Sequence, residues 1–100
     1  MFKVHIVLNE KGNPPGKLAD AELHFTDGPL AGTKLIGFAV WESTTRRSVT
    51  FPARQYSVNG ERRSFALLRP IVDTTSTDTV RQMILDAYTA EEATFAAVAK

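Results

Sequence analysis

Ser48–Ile71 reads SVTFPARQYSVNGERRSFALLRPI, and the fold turns on how this stretch is paired. Asn59-Gly60 is the strongest short-range hairpin signal, because a type I′ turn needs positive φ at both central positions. A two-residue loop there sets Val58 against Glu61, Tyr56 against Arg63, Arg54 against Phe65 and Pro52 against Leu67. Side chains alternate with period two, so these residues share one face. The opposite face carries Val49, Phe51, Ala53, Ala66 and Leu68, with Gln55, Ser57, Arg62 and Ser64 nearer the tip. It is expected to be core.

Working outward, Phe2, Val4, Ile6 and Leu8 alternate with Lys3 and His5, a half-buried strand. Asn9–Lys17 contains Gly12-Asn13-Pro14-Pro15-Gly16 and is expected to be a loop. Ala19, Ala21, Leu23 and Phe25 alternate with Asp20, Glu22 and His24, a second strand. Leu35–Trp41 is apolar at nearly every position, which predicts a central strand packed on both faces. Gly37 within it predicts a bulge or a close backbone approach. Pro52 has no amide proton and predicts a break or an edge in its strand. After Ile71 the period changes: Val80, Met83, Ile84, Ala87 and Tyr88 form one face of a helix. Thr89 and Glu92 resemble a capping box, so residues 90–99 form either a second helix or an extension of the first. The expected fold is α+β, an antiparallel sheet of about five strands followed by one or two C-terminal helices. The whole chain, residues 1–100, is expected to be one domain.

The formal net charge is +1, which points to neither nucleic acid nor membrane. The charge is unevenly spread, however. Between Thr44 and Pro70 lie six arginines and one acid, Glu61; from Asp73 to Glu92 lie five acids and only Arg81. A local basic field is compatible with a nearly neutral molecule. There is no cysteine, which excludes disulfides, thiolate metal sites and thiol nucleophiles. No secretory pattern or bilayer-length apolar run is present, so a cytoplasmic location is expected. His5 and His24 could meet across strands, but zinc wants four ligands and no others suggest themselves. No nucleophile elbow, phosphate-cradling glycine loop or zinc-binding histidine pair occurs. The expectation is a non-enzyme with no metal, cofactor or small-molecule substrate.

With these elements placed, the chain resembles the SpoVG family, small bacterial regulators named for a role in sporulation septation. The resemblance spans Leu18–Tyr88. It rests on Gly37-Phe38-Ala39-Val40, Phe51-Pro52-Ala53-Arg54, Asn59-Gly60-Glu61, Arg69-Pro70-Ile71 and the helix end Ile84-Leu85-Asp86-Ala87-Tyr88. Two departures stand out: the family's basic pair is Arg54-Gln55 here, and its His-Pro is Arg69-Pro70. The resemblance implies a twisted antiparallel sheet with a helix, homodimers built by sheet extension, and DNA or RNA binding. The residues add the chemistry. Arg54, Arg62 and Arg63 are candidates for phosphate contact, Tyr56 for stacking a base, and Arg46, Arg47 and Arg69 for extending the track. The competing expectation is a protein-interaction module, using an open sheet edge or the rings of Tyr56 and Phe65 as anchors.

Overall fold

The structure is a computed structural model that describes residues 2–10 and 14–99, with side chains to residue 95. Lys11–Asn13, part of the expected first loop, lie outside the described residues. The fold is α+β. Strands β1 (Phe2–Leu8), β2 (Lys17–Phe25), β3 (Lys34–Glu42) and β4 (Arg47–Thr50) form an antiparallel sheet in that order. Strands β5 (Ala53–Val58) and β6 (Glu61–Ala66) form a separate two-stranded sheet. Among the described residues one helix, α1 (Thr75–Ala99), follows the strands.

The alternation in β1 and β2 buries what it should. Ala19, Ala21 and Leu23 are buried, with Phe2, Val4, Ile6 and Leu8 packed beside them. Two bulges interrupt the β2–β3 ladder. One adds Leu18 to β2, between the pairs Lys17–Trp41 and Ala19–Val40; the other adds a residue to β3 at Ile36-Gly37. Gly37 is both the bulge and the close approach that its position in β3 predicts. Its φ is +105°, and a Cβ there would lie 2.8 Å from Pro52 Cβ. Pro52 is buried in the break between β4 and β5.

Helix α1 lies on one face of the four-stranded sheet and touches β1, β3 and β4. Ile84 and Tyr88 are buried, Val80 and Ala87 half-buried, and Met83 is exposed at the margin of the stripe. Phe38, Val40 and Ile84 are the largest fully enclosed side chains, and each such burial stabilises by about 1.5–3 kcal/mol. Helix α1 therefore covers one face of the apolar run of β3, and of the other face only Ala39 is buried. On the other, Ile36 is exposed and Trp41 half-buried, its indole N–H donating to Thr50 Oγ1 at 2.9 Å.

The helix is continuous through Thr89. That hydroxyl donates to the Leu85 carbonyl at 3.0 Å, a mid-helix bond and not a cap. Glu92 is engaged elsewhere, by Arg47 at 3.2 Å and by the Tyr88 hydroxyl at 3.1 Å. Arg47 also lies 3.8 Å from Glu42 and 5.0 Å over the Tyr88 ring. This cluster pins the second half of α1 to the sheet. Burial first, then the bond to Glu92, raises the Tyr88 pKa above the ordinary phenol value. Arg47→Met is expected to lower unfolding free energy by about 1 kcal/mol, since the pairs are part-exposed and screened. Urea denaturation with Arg46→Met as a control checks this; equal midpoints for the two variants contradict it.

At the other end, the Thr75 amide donates to Asp73 Oδ1 at 2.9 Å. The Asp78 amide closes the first helical turn on the Thr74 carbonyl. The bond from the Thr75 backbone, then that from its side chain, holds the Asp73 carboxyl below its usual pKa. A depressed folded-state value means that the contribution is present above the ordinary carboxylate range. It is lost as pH falls through the folded value. The melting temperature is thus expected to fall on acidification below about pH 4, less steeply in Asp73→Asn. Identical acid slopes for the two proteins contradict this.

Another expectation fails. The second hairpin face is not core throughout: Val49 is buried and Phe51 and Leu68 half-buried, but Ala53 and Ala66 are exposed. The reason is the break at Phe51-Pro52. Beyond it the ribbon leaves the sheet instead of continuing under the helix.

Candidate nucleic-acid interface

The ribbon β5–β6 is an arm. Every residue of both strands is exposed. The radius of gyration is 15.2 Å, against about 13 Å for a compact chain of this length. The arm pairs in the register predicted from its turn: Arg54 with Phe65, Tyr56 with Arg63, Val58 with Glu61. Asn59 and Gly60 have φ of +51° and +82°, as a type I′ turn requires. The Leu67 amide donates to the Pro52 carbonyl at 2.9 Å, closing the foot.

The turn's register puts Arg54, Tyr56, Val58, Glu61, Arg63 and Phe65 on one face. The Tyr56 and Phe65 rings lie 5.7 Å apart, tilted by 55°, each 41 % exposed. Arg63 reaches Glu61 at 3.1 Å, an exposed pair that holds little. Arg54 and Arg62 form no ion pair among the described residues. Arg62 belongs to the other face, opposite Ser57. A guanidinium fork binds phosphate oxygens, and a bare ring accepts a base; a stacked base contributes about 1–3 kcal/mol.

The remaining arginines are dispersed. Arg46 is exposed in the turn that joins Ser43 to β4, at the end of β4 away from the arm. Arg47 is taken up by Glu92, Glu42 and Tyr88. Arg69 is exposed past the foot of the arm. Asp73 serves the helix cap, and no Arg69–Asp73 pair forms among the described residues.

His5 and His24 do meet, on the uncovered face of the sheet. They sit diagonally, since Lys3 opposes His24 and His5 opposes Glu22. Their rings stack 5.1 Å apart. Glu22 Oε1 lies 2.9 Å from His24 Nε2 and 3.3 Å from Lys34 Nζ. The bond from His24 first, then that from Lys34, lowers the Glu22 pKa. Among the described residues no group of three or more potential metal ligands forms.

Two features of the arm go beyond what the sequence pattern predicts. Gln55, Ser57 and Ser64 join Arg62 on a wholly exposed polar face; four polar residues on a supposed core face were the available signal. Leu67 at the foot is 55 % exposed, and Ile71 and Val72 beyond it are almost fully exposed. No periodicity in that short segment announced this.

Comparisons with protein-family profiles, with curated proteins and with solved structures found no match to this chain. Among the described residues no helix is long and apolar enough to cross a membrane.

Proposed function

We propose that this protein is a small non-catalytic nucleic-acid-binding regulator that works in the cytoplasm as a homodimer. The observation that carries the reading is the arm. It holds Arg54, Tyr56 and Arg63 on one uncovered face, clear of the body. In this reading Arg54, Arg62 and Arg63 contact phosphates and Tyr56 stacks a base. Arg69 extends the track, while Arg47 serves the fold. The motif resemblance to the SpoVG family supports the same class. Dimerisation is supported by the sheet and would leave the arm free. The open edge of β1 offers seven residues for pairing with a second copy.

Fluorescence polarisation with labelled single- and double-stranded DNA and RNA at two salt concentrations tests this. The expected result is binding that weakens steeply with salt, as counterion release requires. Absence of binding, or affinity indifferent to salt, contradicts it. A second reading has its own observation. Tyr56, Val58, Phe65 and Leu67 are large apolar groups, each at least 41 % exposed, which would suit a protein partner anchored on the arm. That association would depend only weakly on salt.

A further inference from the structure

The two faces of the arm differ in chemistry. One carries the rings and Arg54 and Arg63. The other carries Gln55 opposite Ser64 and Ser57 opposite Arg62, with Ala53 opposite Ala66 at the foot. We infer that this second face reads base edges in the major groove of duplex DNA. The inference rests on the nucleic-acid reading above and gives it a substrate class.

Four observations carry it. First, the element has the right shape: the major groove, about 12 Å wide, admits a two-stranded ribbon. Second, the arm is free to enter, because both strands are exposed along their whole length. Third, the side chains are uncommitted. Among the described residues Gln55, Ser57, Arg62 and Ser64 have no side-chain hydrogen bond or ion pair of their own. They are not holding the ribbon together. Fourth, the residue types match the groove's donor and acceptor pattern. Arginine pairs with guanine O6 and N7, so Arg62, a phosphate contact on a single strand, becomes a base contact in a duplex; glutamine pairs with adenine N6 and N7, serine with either, and alanine meets the thymine methyl. Gln55, Ser64 and the neighbouring arginines Arg62 and Arg63 line a shallow hollow of about 200 Å³.

The geometry is commensurate as well. Residues two apart on a strand are about 6.8 Å apart. This is two base-pair steps of about 3.4 Å. Gln55 and Ser57 would therefore address base pairs two steps apart, with Ser64 and Arg62 beside them. Arg54 and Arg63, long and on the reverse face, can turn back to the phosphates that wall the groove. An A-form RNA duplex is excluded as an equal ligand, because its major groove is too deep and narrow for side chains to read. Tyr56 and Phe65 face away from the bases in this pose. The ring face thus serves an unpaired strand, and the polar face a duplex.

The test is selection from a duplex DNA pool with a randomised centre. Affinities are then measured for the selected duplex, its separate strand and an RNA duplex of the same sequence. A short motif containing guanine and adenine is expected. Gln55→Ala changes no charge and is expected to weaken the selected duplex about 5- to 100-fold. It should relax preference at one position and leave the single strand unaffected. Tyr56→Ala is expected to do the reverse. Circular dichroism establishes that both variants fold. Failure to enrich any motif, equal binding of the RNA duplex, or a motif intact in Gln55→Ala overturns the inference while leaving the phosphate reading standing. If no nucleic acid binds in any form, the proposed function itself is overturned, and the inference with it.

Discussion

Replacing Arg54 and Arg63 together by alanine is expected to weaken binding of a short single strand about 10- to 100-fold, since each charge-assisted contact contributes on the order of 1.5–3 kcal/mol and exposure reduces it. The salt dependence carries more information than the affinity. Each phosphate contact removed should flatten the log–log slope by about 0.7 for a single strand and about 0.9 for B-DNA. The double variant therefore loses roughly twice that amount. Arg47→Met is the control, because its guanidinium is already held by Glu92 at 3.2 Å and by Glu42 at 3.8 Å. If the double variant keeps both affinity and slope, the arm is not the binding surface. If Arg47→Met matches it, charge anywhere on the molecule suffices and the face has no special role.

Gly37→Val is expected to be the most damaging single change to the body. Two costs coincide there. A φ of +105° is strained for any residue with a Cβ, and that Cβ would lie 2.8 Å from Pro52 Cβ. Together they cost about 2–4 kcal/mol. Pro52 is not a flexible tip that can swing aside: its ring is buried and its backbone leads into the arm. The substitution should therefore tilt or loosen the arm as well as lower the denaturation midpoint. Gly28→Val is the matched control, also at positive φ but with nothing within 4 Å; its cost should be about 1–2 kcal/mol. Equal losses at the two glycines would show that the contact with Pro52 does not matter.

These two expectations draw on different levels of the sequence. The hairpin was legible to the residue, because Asn59-Gly60 specifies a turn whose backbone admits only one register. The helix stripe Val80, Ile84 and Tyr88 was legible from its period, and so was the alternation of β1 and β2. Gly37 and Pro52 each announced an irregularity. That they meet each other could not be read, since they are far apart in the chain and join only through the bulge in β3. The direction of the arm was not legible either. Period two places Ala53 and Ala66 on a face, but it does not say whether anything covers that face. The same limit explains β3, whose apolar run is covered by α1 on one side only. Among the arginines, local charge counts gathered six into one basic region. They could not anticipate that Glu92, 45 residues away in the chain, would claim Arg47. Nor could they show that Arg46 sits at the far end of β4 from the arm.

Amide chemical shifts of the isotopically labelled protein, followed while a short oligonucleotide is added, test the arm's role most directly. The largest movements are expected on Arg54–Phe65, at both faces of the ribbon. Lys3–Val7, Asp20–His24 and Val80–Glu92 should remain in place. Movements gathered instead on the open face of the sheet around His5 and His24, with the arm unmoved, would contradict it.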